Sequence, residues 1–151
     1  QLLGSQNDMA TIRLGGGHGN IGTEAYVQCY EEIREYEEQR QLHFDYIFHA
    51  SGTGTTQAGL ICGQLLHQDD RKIVGISIAR KNPYGKKVVC DSVKEYLSDV
   101  SPDELEEKII FLDQYTGSGY GKENQKIEKT IEENLRKYGI PMDTTYTGKA
   151  F

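Results

Sequence analysis

The 151 residues carry a formal net charge of −6 and 36% hydrophobic side chains, the size and balance of one domain able to bury roughly two-thirds of its unfolded surface. The acidic excess, with lysines spread along helices rather than gathered on one face, argues against a nucleic-acid partner; no apolar run approaches the ~20 residues of a membrane helix, and no signal peptide is visible. Cys29, Cys62 and Cys90 are odd in number, far apart and set in apolar-periodic segments, so buried thiols of a reducing cytoplasm are expected rather than disulfides or a metal site.

In chain order, Thr11 to Leu14 predicts a short strand. Gly17-His18-Gly19-Asn20-Ile21-Gly22 follows, a match to the G-x-G-x-x-G pattern of dinucleotide-binding folds. From Thr23 to Arg40, Tyr26, Cys29, Tyr30, Ile33 and Tyr36 recur three or four apart and predict a helix with one buried stripe. Phe44 to Ala50 is a second strand, ending in Ala50-Ser51-Gly52 where the dinucleotide fingerprint requires an acid for the ribose. Gln57 to His67 is a helix whose Gly59 and Gly63 form a small-residue face expected to lie against a sheet. "KIVGISIA", Lys72 to Ala79, is a third strand, apolar enough to be covered on both faces.

Tyr84 to Asp99 predicts a helix with Val89, Val93, Tyr96 and Leu97 inward, and Ser101-Pro102-Asp103-Glu104 opens a short one through an N-cap with proline at its first position. Ile109 to Leu112 is a fourth strand. Glu123 to Tyr138 places Ile127, Ile131, Leu135 and Tyr138 on one helical face and stops at Gly139 and Pro141. Strands alternating with helices at this spacing predict an α/β fold, a parallel sheet of about four strands with helices on both faces, in one domain over residues 1–151.

Ligands of such sheets bind beyond the carboxyl ends of the strands. Gly15 to Gly22, Ser51 to Thr56 and Gly117 to Gly121 emerge there. "SGTGTT" joins a buried strand directly to a helix, so its amides and the helix dipole converge on one spot beside the hydroxyls of Ser51, Thr53, Thr55 and Thr56. No Gly-Lys-Ser or Gly-Lys-Thr follows, so a phosphate monoester fits better than a triphosphate. The alternatives are a dinucleotide-binding module and a non-catalytic binding domain.

"HASGTGTTQAGL" (His49 to Leu60) resembles the phosphate-cradling loop of the fold type II, tryptophan-synthase-β-like pyridoxal-phosphate enzymes, and within them the branch of D-cysteine desulfhydrase and aminocyclopropane-carboxylate deaminase. "GGGHGNIGTEAY", "GSGYG" and "YTGKAF" are similar to further segments of that branch, in the same order. The resemblance implies the large, cofactor-binding domain of that fold, with pyridoxal 5'-phosphate held by Ser51, Gly52, Thr53, Gly54, Thr55 and Thr56. Thr147 would meet the pyridine nitrogen, where the deaminase has a carboxylate, and Tyr120 and Tyr146 would be the active-site tyrosines. A neutral hydroxyl makes the ring a weaker electron sink, which favours thiol elimination from a small amino acid over cyclopropane opening. His18 and Gly19 depart from the branch's Ser and Asn, and His49 is expected to be a hydrogen-bonded structural histidine. No lysine precedes Lys72, so the Schiff-base lysine is not found where the family has it. The chain is therefore expected to be part of a longer two-domain lyase, a cytoplasmic homodimer, and to be inactive alone.

Overall fold

The computed structural model describes residues 20–122 and 124–151; the predicted Thr11 to Leu14 strand and Gly17 to Gly19 of the first glycine motif lie outside the described residues. Chain order is α1 (Ile21–Arg40), β1 (Tyr46–Ser51), α2 (Thr55–Leu66), β2 (Lys72–Ser77), α3 (Tyr84–Tyr96), α4 (Pro102–Lys108), β3 (Ile110–Leu112), α5 (Gln125–Tyr138) and α6 (Thr147–Ala150). The strands form a parallel sheet in the order β1-β2-β3, flanked by helices. Its register runs from Tyr46 opposite Lys72 to Ser51 opposite Ser77, and from Val74 opposite Ile110 to Ile76 opposite Leu112. All three strands point the same way, so the loops after Ser51, Ser77 and Leu112 gather at one end.

Helix α2 is the centre of the packing, with nine of its residues buried. Toward the sheet it sends Gln57, whose Nε2 donates to the Ile110 carbonyl at 2.8 Å through room left by Gly75. The Gly59 and Gly63 face turns away from the strands and meets α1 instead. A Cβ on Gly59 would lie 2.3 Å from the Thr23 carbonyl oxygen, and one on Gly63 2.5 Å from the Tyr30 ring. The expectation of a small face against the sheet is thus corrected: a glycine row lets two helices approach more closely than the gap between a helix and a pleated sheet requires.

Two stripes are also rotated from their predicted positions. On α1 the buried residues are Thr23, Val27, Tyr30 and Glu37, while Tyr26 and Tyr36 face outward. On α5 Ile127 and Asn134 are buried, but Leu135 and Tyr138 are about half exposed, at 50% and 58%, because among the described residues α5 makes its main packing contact with the short α6. The other helix ends match their signals. Ser101 accepts the Glu104 amide at 3.1 Å with Pro102 at the first position, and Gly139 ends α5 in a left-handed conformation. The three cysteines are free thiols, and among the described residues no helix is long and apolar enough to cross a membrane.

At the amino end of β2, α1 is tied to the sheet by charge. The Arg71 side chain is 1% exposed and forms a paired bond with Glu37, NH1 to Oε1 at 3.1 Å and NH2 to Oε2 at 2.7 Å, while its Nε donates to Asp69 at 2.7 Å. Tyr30 donates to the same Asp69 carboxylate at 2.6 Å and lies beneath the guanidinium, 5.0 Å from the ring centre. Burial raises the pKa of both acids, but the hydrogen bonds they accept outweigh it and hold both below the ordinary range.

Arg71→Met leaves two buried carboxylates without their guanidinium, and is expected to lower unfolding free energy by about 3–5 kcal/mol in chemical denaturation. Because the folded-state values lie below the unfolded ones, wild-type stability from this cluster is full above about pH 4 and falls as pH drops through the folded values. The variant should show a flatter acid limb.

Candidate functional site

The three carboxyl-end loops enclose a cleft of about 820 Å³, lined by His49, Ala50, Gly52, Thr53 and Thr56 from β1 and the start of α2, Ile78 to Arg80 after β2, Tyr120 after β3, Tyr146 at the start of α6, and Tyr26 from α1. Its floor is the turn Gly52-Thr53-Gly54. Gly54 caps α2 at φ 97°, a left-handed conformation, and a Cβ there would also lie 3.2 Å from Val88. The turn therefore enters the helix at once. Within this segment the first backbone bond to the protein is donated by Ala58, to the Gly54 carbonyl at 2.9 Å, and no acceptor among the described residues takes the amides of Gly52 to Gln57. Unpaired donors at the positive end of a buried helix, beside threonine hydroxyls, are what an oxyanion requires.

Around this floor, the Thr53 and Thr55 hydroxyls lie 3.1 Å apart, and Arg80 donates to the Gly52 carbonyl, pinning the turn from the β2 side. Opposite them, the Tyr120 and Tyr146 hydroxyls lie 2.8 Å apart with their rings edge to face at 6.0 Å. The bond to Tyr120 raises the Tyr146 pKa, with the nearby Asp143 charge adding to it. The raised pKa keeps the Tyr146 phenol protonated at neutral pH, so it can donate.

Of the residues expected in the site, Gly52, Thr53, Thr56, Tyr120 and Tyr146 line the cleft together. Ser51, Gly54 and Thr55 are buried beneath it, and the Ser51 hydroxyl, 0% exposed, has no partner among the described residues. Thr147 stands apart from the lining. Its hydroxyl donates to Asp143 Oδ1 and accepts the Asp143 amide, both at 2.8 Å, leaving one lone pair. The Asp143 carboxylate also accepts the amides of Thr145, Tyr146 and Thr147 at 2.7–2.8 Å, which together outweigh its partial burial and hold its pKa down at about 2.

Arg80, Ile78 and Tyr26 were not foreseen. Position after a buried parallel strand singles out the first two; Tyr26 comes from the rotation of α1. His49, expected to be structural, does line the cleft. Its Nδ1 lies 3.2 Å from the Ala50 carbonyl and so carries the proton, leaving a buried Nε2 without a partner among the described residues. Burial pushes its pKa down to about 4. Among the described residues no lysine lines the cleft.

A second hollow of about 660 Å³ lies at the amino end of the sheet and contains His43, Asp69 and Asp70, whose ligand atoms lie within 4.8 Å of one another. Asp69 is already bound by Arg71 and Tyr30, and the adjacent guanidinium opposes a cation.

Residues 5–151 match the pyridoxal-phosphate dependent enzyme family. The chain is 30% identical over 135 residues to a D-cysteine desulfhydrase of Serratia proteamaculans, covering 89% of this chain and 41% of the relative. It is 28% identical over 144 residues to a 1-aminocyclopropane-1-carboxylate deaminase of Mesorhizobium japonicum, covering 93% and 41%. The crystal structure of an ACC deaminase homologue superposes with a TM-score of 0.73 at 31% identity, over 88% of this chain and 39% of that one. The chain thus spans about two-fifths of the length of the relatives it matches.

The neutral, half-buried His49 should make stability fall as pH drops from about 6.5 towards 4, since the unfolded chain binds the proton first; the effect is on the order of 3 kcal/mol at most. Histidine ring NMR should show an Nδ1–H tautomer across that window. His49→Gln should abolish the dependence.

Proposed function

The chain belongs to the pyridoxal-phosphate dependent enzyme family, and from that premise we propose that its cleft holds the cofactor's phosphate on the free amides of Gly52 to Gln57. Those unengaged donors at the head of α2 are the observation that carries the reading. The cradle fits a single dianionic phosphate. Thr53 and Thr56 offer hydroxyls beside it, Arg80 keeps the turn from opening, and Ser51, Gly54 and Thr55 shape the turn from below. When bound, the cofactor supplies an electron sink for a carbanion next to an amino group.

For the whole protein we propose α,β-elimination on a D-amino acid bearing a β-thiol, consuming water and releasing sulfide, ammonia and a 2-oxo acid. Two of this chain's features support elimination over cyclopropane opening. Thr147, where the resemblance sets the deaminase's carboxylate, is uncharged, its hydroxyl proton goes to Asp143, and the Asp143 charge is spent on four hydrogen bonds that cap α6. The Tyr146 phenol, its pKa raised by the bond to Tyr120, keeps its proton at neutral pH and is set to hand it to a departing sulfur or, with Tyr120, to orient the substrate. His49, neutral with a bare Nε2, offers an acceptor on the same wall. No described lysine lines the cleft to carry the cofactor covalently, so these residues by themselves are proposed to bind it without turning over.

A thermal-shift comparison on this chain tests the reading. Pyridoxal phosphate, and inorganic phosphate more weakly, should raise the melting temperature by several degrees near 100 times Kd, where linkage contributes about 2.7 kcal/mol. NAD should not. Gly54→Val, which strains the left-handed cap, should abolish the response; a shift with NAD alone, or with none of the three, rejects the assignment.

A further inference from the structure

Lys149 is buried, 5% exposed, in the middle of α6. Its Nζ donates to three main-chain carbonyls, Ile78 at 2.9 Å, Thr116 at 2.9 Å and Gly119 at 2.7 Å, and to no carboxylate among the described residues. An ammonium withdrawn from water is tolerated only when its protons are all accepted. Here three protons meet three acceptors from two separate loops. Burial lowers its pKa, in keeping with the lack of a counter-charge.

The acceptors are the parts of the cleft that need holding. Ile78 ends the β2 side and would sit 3.2 Å from a Cβ on Gly52 in the anion turn. Gly119 directly precedes Tyr120, and Tyr146 lies one helical turn before Lys149 itself. The loop that carries Tyr120 has little rigidity of its own: Gly117, Gly119 and Gly121 all have positive φ, at 59°, 122° and 62°. Its internal bonds are long, Gly119 amide to Thr116 carbonyl at 3.3 Å and Thr116 hydroxyl to Asp113 carbonyl at 3.4 Å. The short bonds come from Lys149.

We propose that Lys149 is a positioning residue: one buried ammonium clamps the Tyr120 loop and the β2 end to α6, and thereby holds the Tyr120 hydroxyl on that of Tyr146 beside the anion turn. Lys149 touches neither hydroxyl. The meaning of the pair rests on the function proposed above, but the clamp is testable with no cofactor present.

The test is a pH titration of the ligand-free protein with ring-¹³C tyrosine, the two signals assigned with Tyr120→Phe and Tyr146→Phe. In the wild type, ionisation of one phenol should shift the signal of the other, with Tyr146 titrating above an ordinary tyrosine; Asp143 and Arg80 are the other charged groups near the pair. In Lys149→Met the cross-response should vanish, Tyr120 should give the signal of a free surface tyrosine, and Tyr146 should titrate lower, with helix content unchanged by circular dichroism. Lys149→Gln has two donors on a shorter stem, and should lose most of the cross-response while sparing more of the stability. A folded variant of either kind that keeps the full wild-type coupling overturns the proposal. So does failure of both to fold, which would make Lys149 a requirement of the fold rather than of the pair. Neither result depends on pyridoxal phosphate binding, so a negative thermal shift rejects the cofactor reading and leaves the tyrosine titration to decide this one.

Discussion

A helix with almost no free side is the constraint from which the rest follows. Helix α2 is enclosed by α1 through the bare backbone of Gly59 and Gly63, by the sheet through Gln57, and by α3. It cannot tilt or slide without driving Tyr30 into a glycine or breaking the Gln57 bond to the β3 main chain. Its amino end is therefore aimed by the core rather than by the loop that leads into it, and the three residues between β1 and α2 have only to turn. That is why the amides there stay unpaired: a longer loop would fold back on its own donors.

The two ends of the sheet divide the electrostatic work. At the amino end, Arg71 collects Glu37 and Asp69 and closes α1 onto the strand with both carboxylates hydrogen-bonded. At the carboxyl end charges are left unanswered. Lys149 is buried against carbonyls alone, Arg80 bonds a carbonyl, and the α2 amides have no acceptor among the described residues. In a chain with a net charge of −6, Arg80 and the unpaired α2 amides put a local positive character beside the cleft.

Much of this was legible beforehand because it depends on local chemistry. The strand before Ser51, the direct join to a helix, the Ser101 cap and the Gly139 stop are each decided by a few neighbouring residues, and each lies where its signal put it to within a few residues. The cleft residues Gly52, Thr53 and Thr56 were legible in the turn after β1, and Tyr120 and Tyr146 through the family resemblance of their segments. Arg80 and the bonds of Lys149 were not, since what matters in both is a main-chain oxygen far away in sequence, and side-chain periodicity carries no record of carbonyl positions.

By itself the sequence determined that this is a parallel α/β chain with a glycine-rich turn joining one strand directly to a helix, because alternation, glycine placement and helix polarity act over a few residues. Only the tertiary structure decided which faces those helices bury. The glycine row of α2 went to a helix and not to the sheet, Leu135 and Tyr138 stayed exposed, the Thr147 hydroxyl went to Asp143, and a buried ammonium drew two loops together. Such choices depend on competition among surfaces that meet only once the chain has folded, and the closest-fitting pair takes the contact.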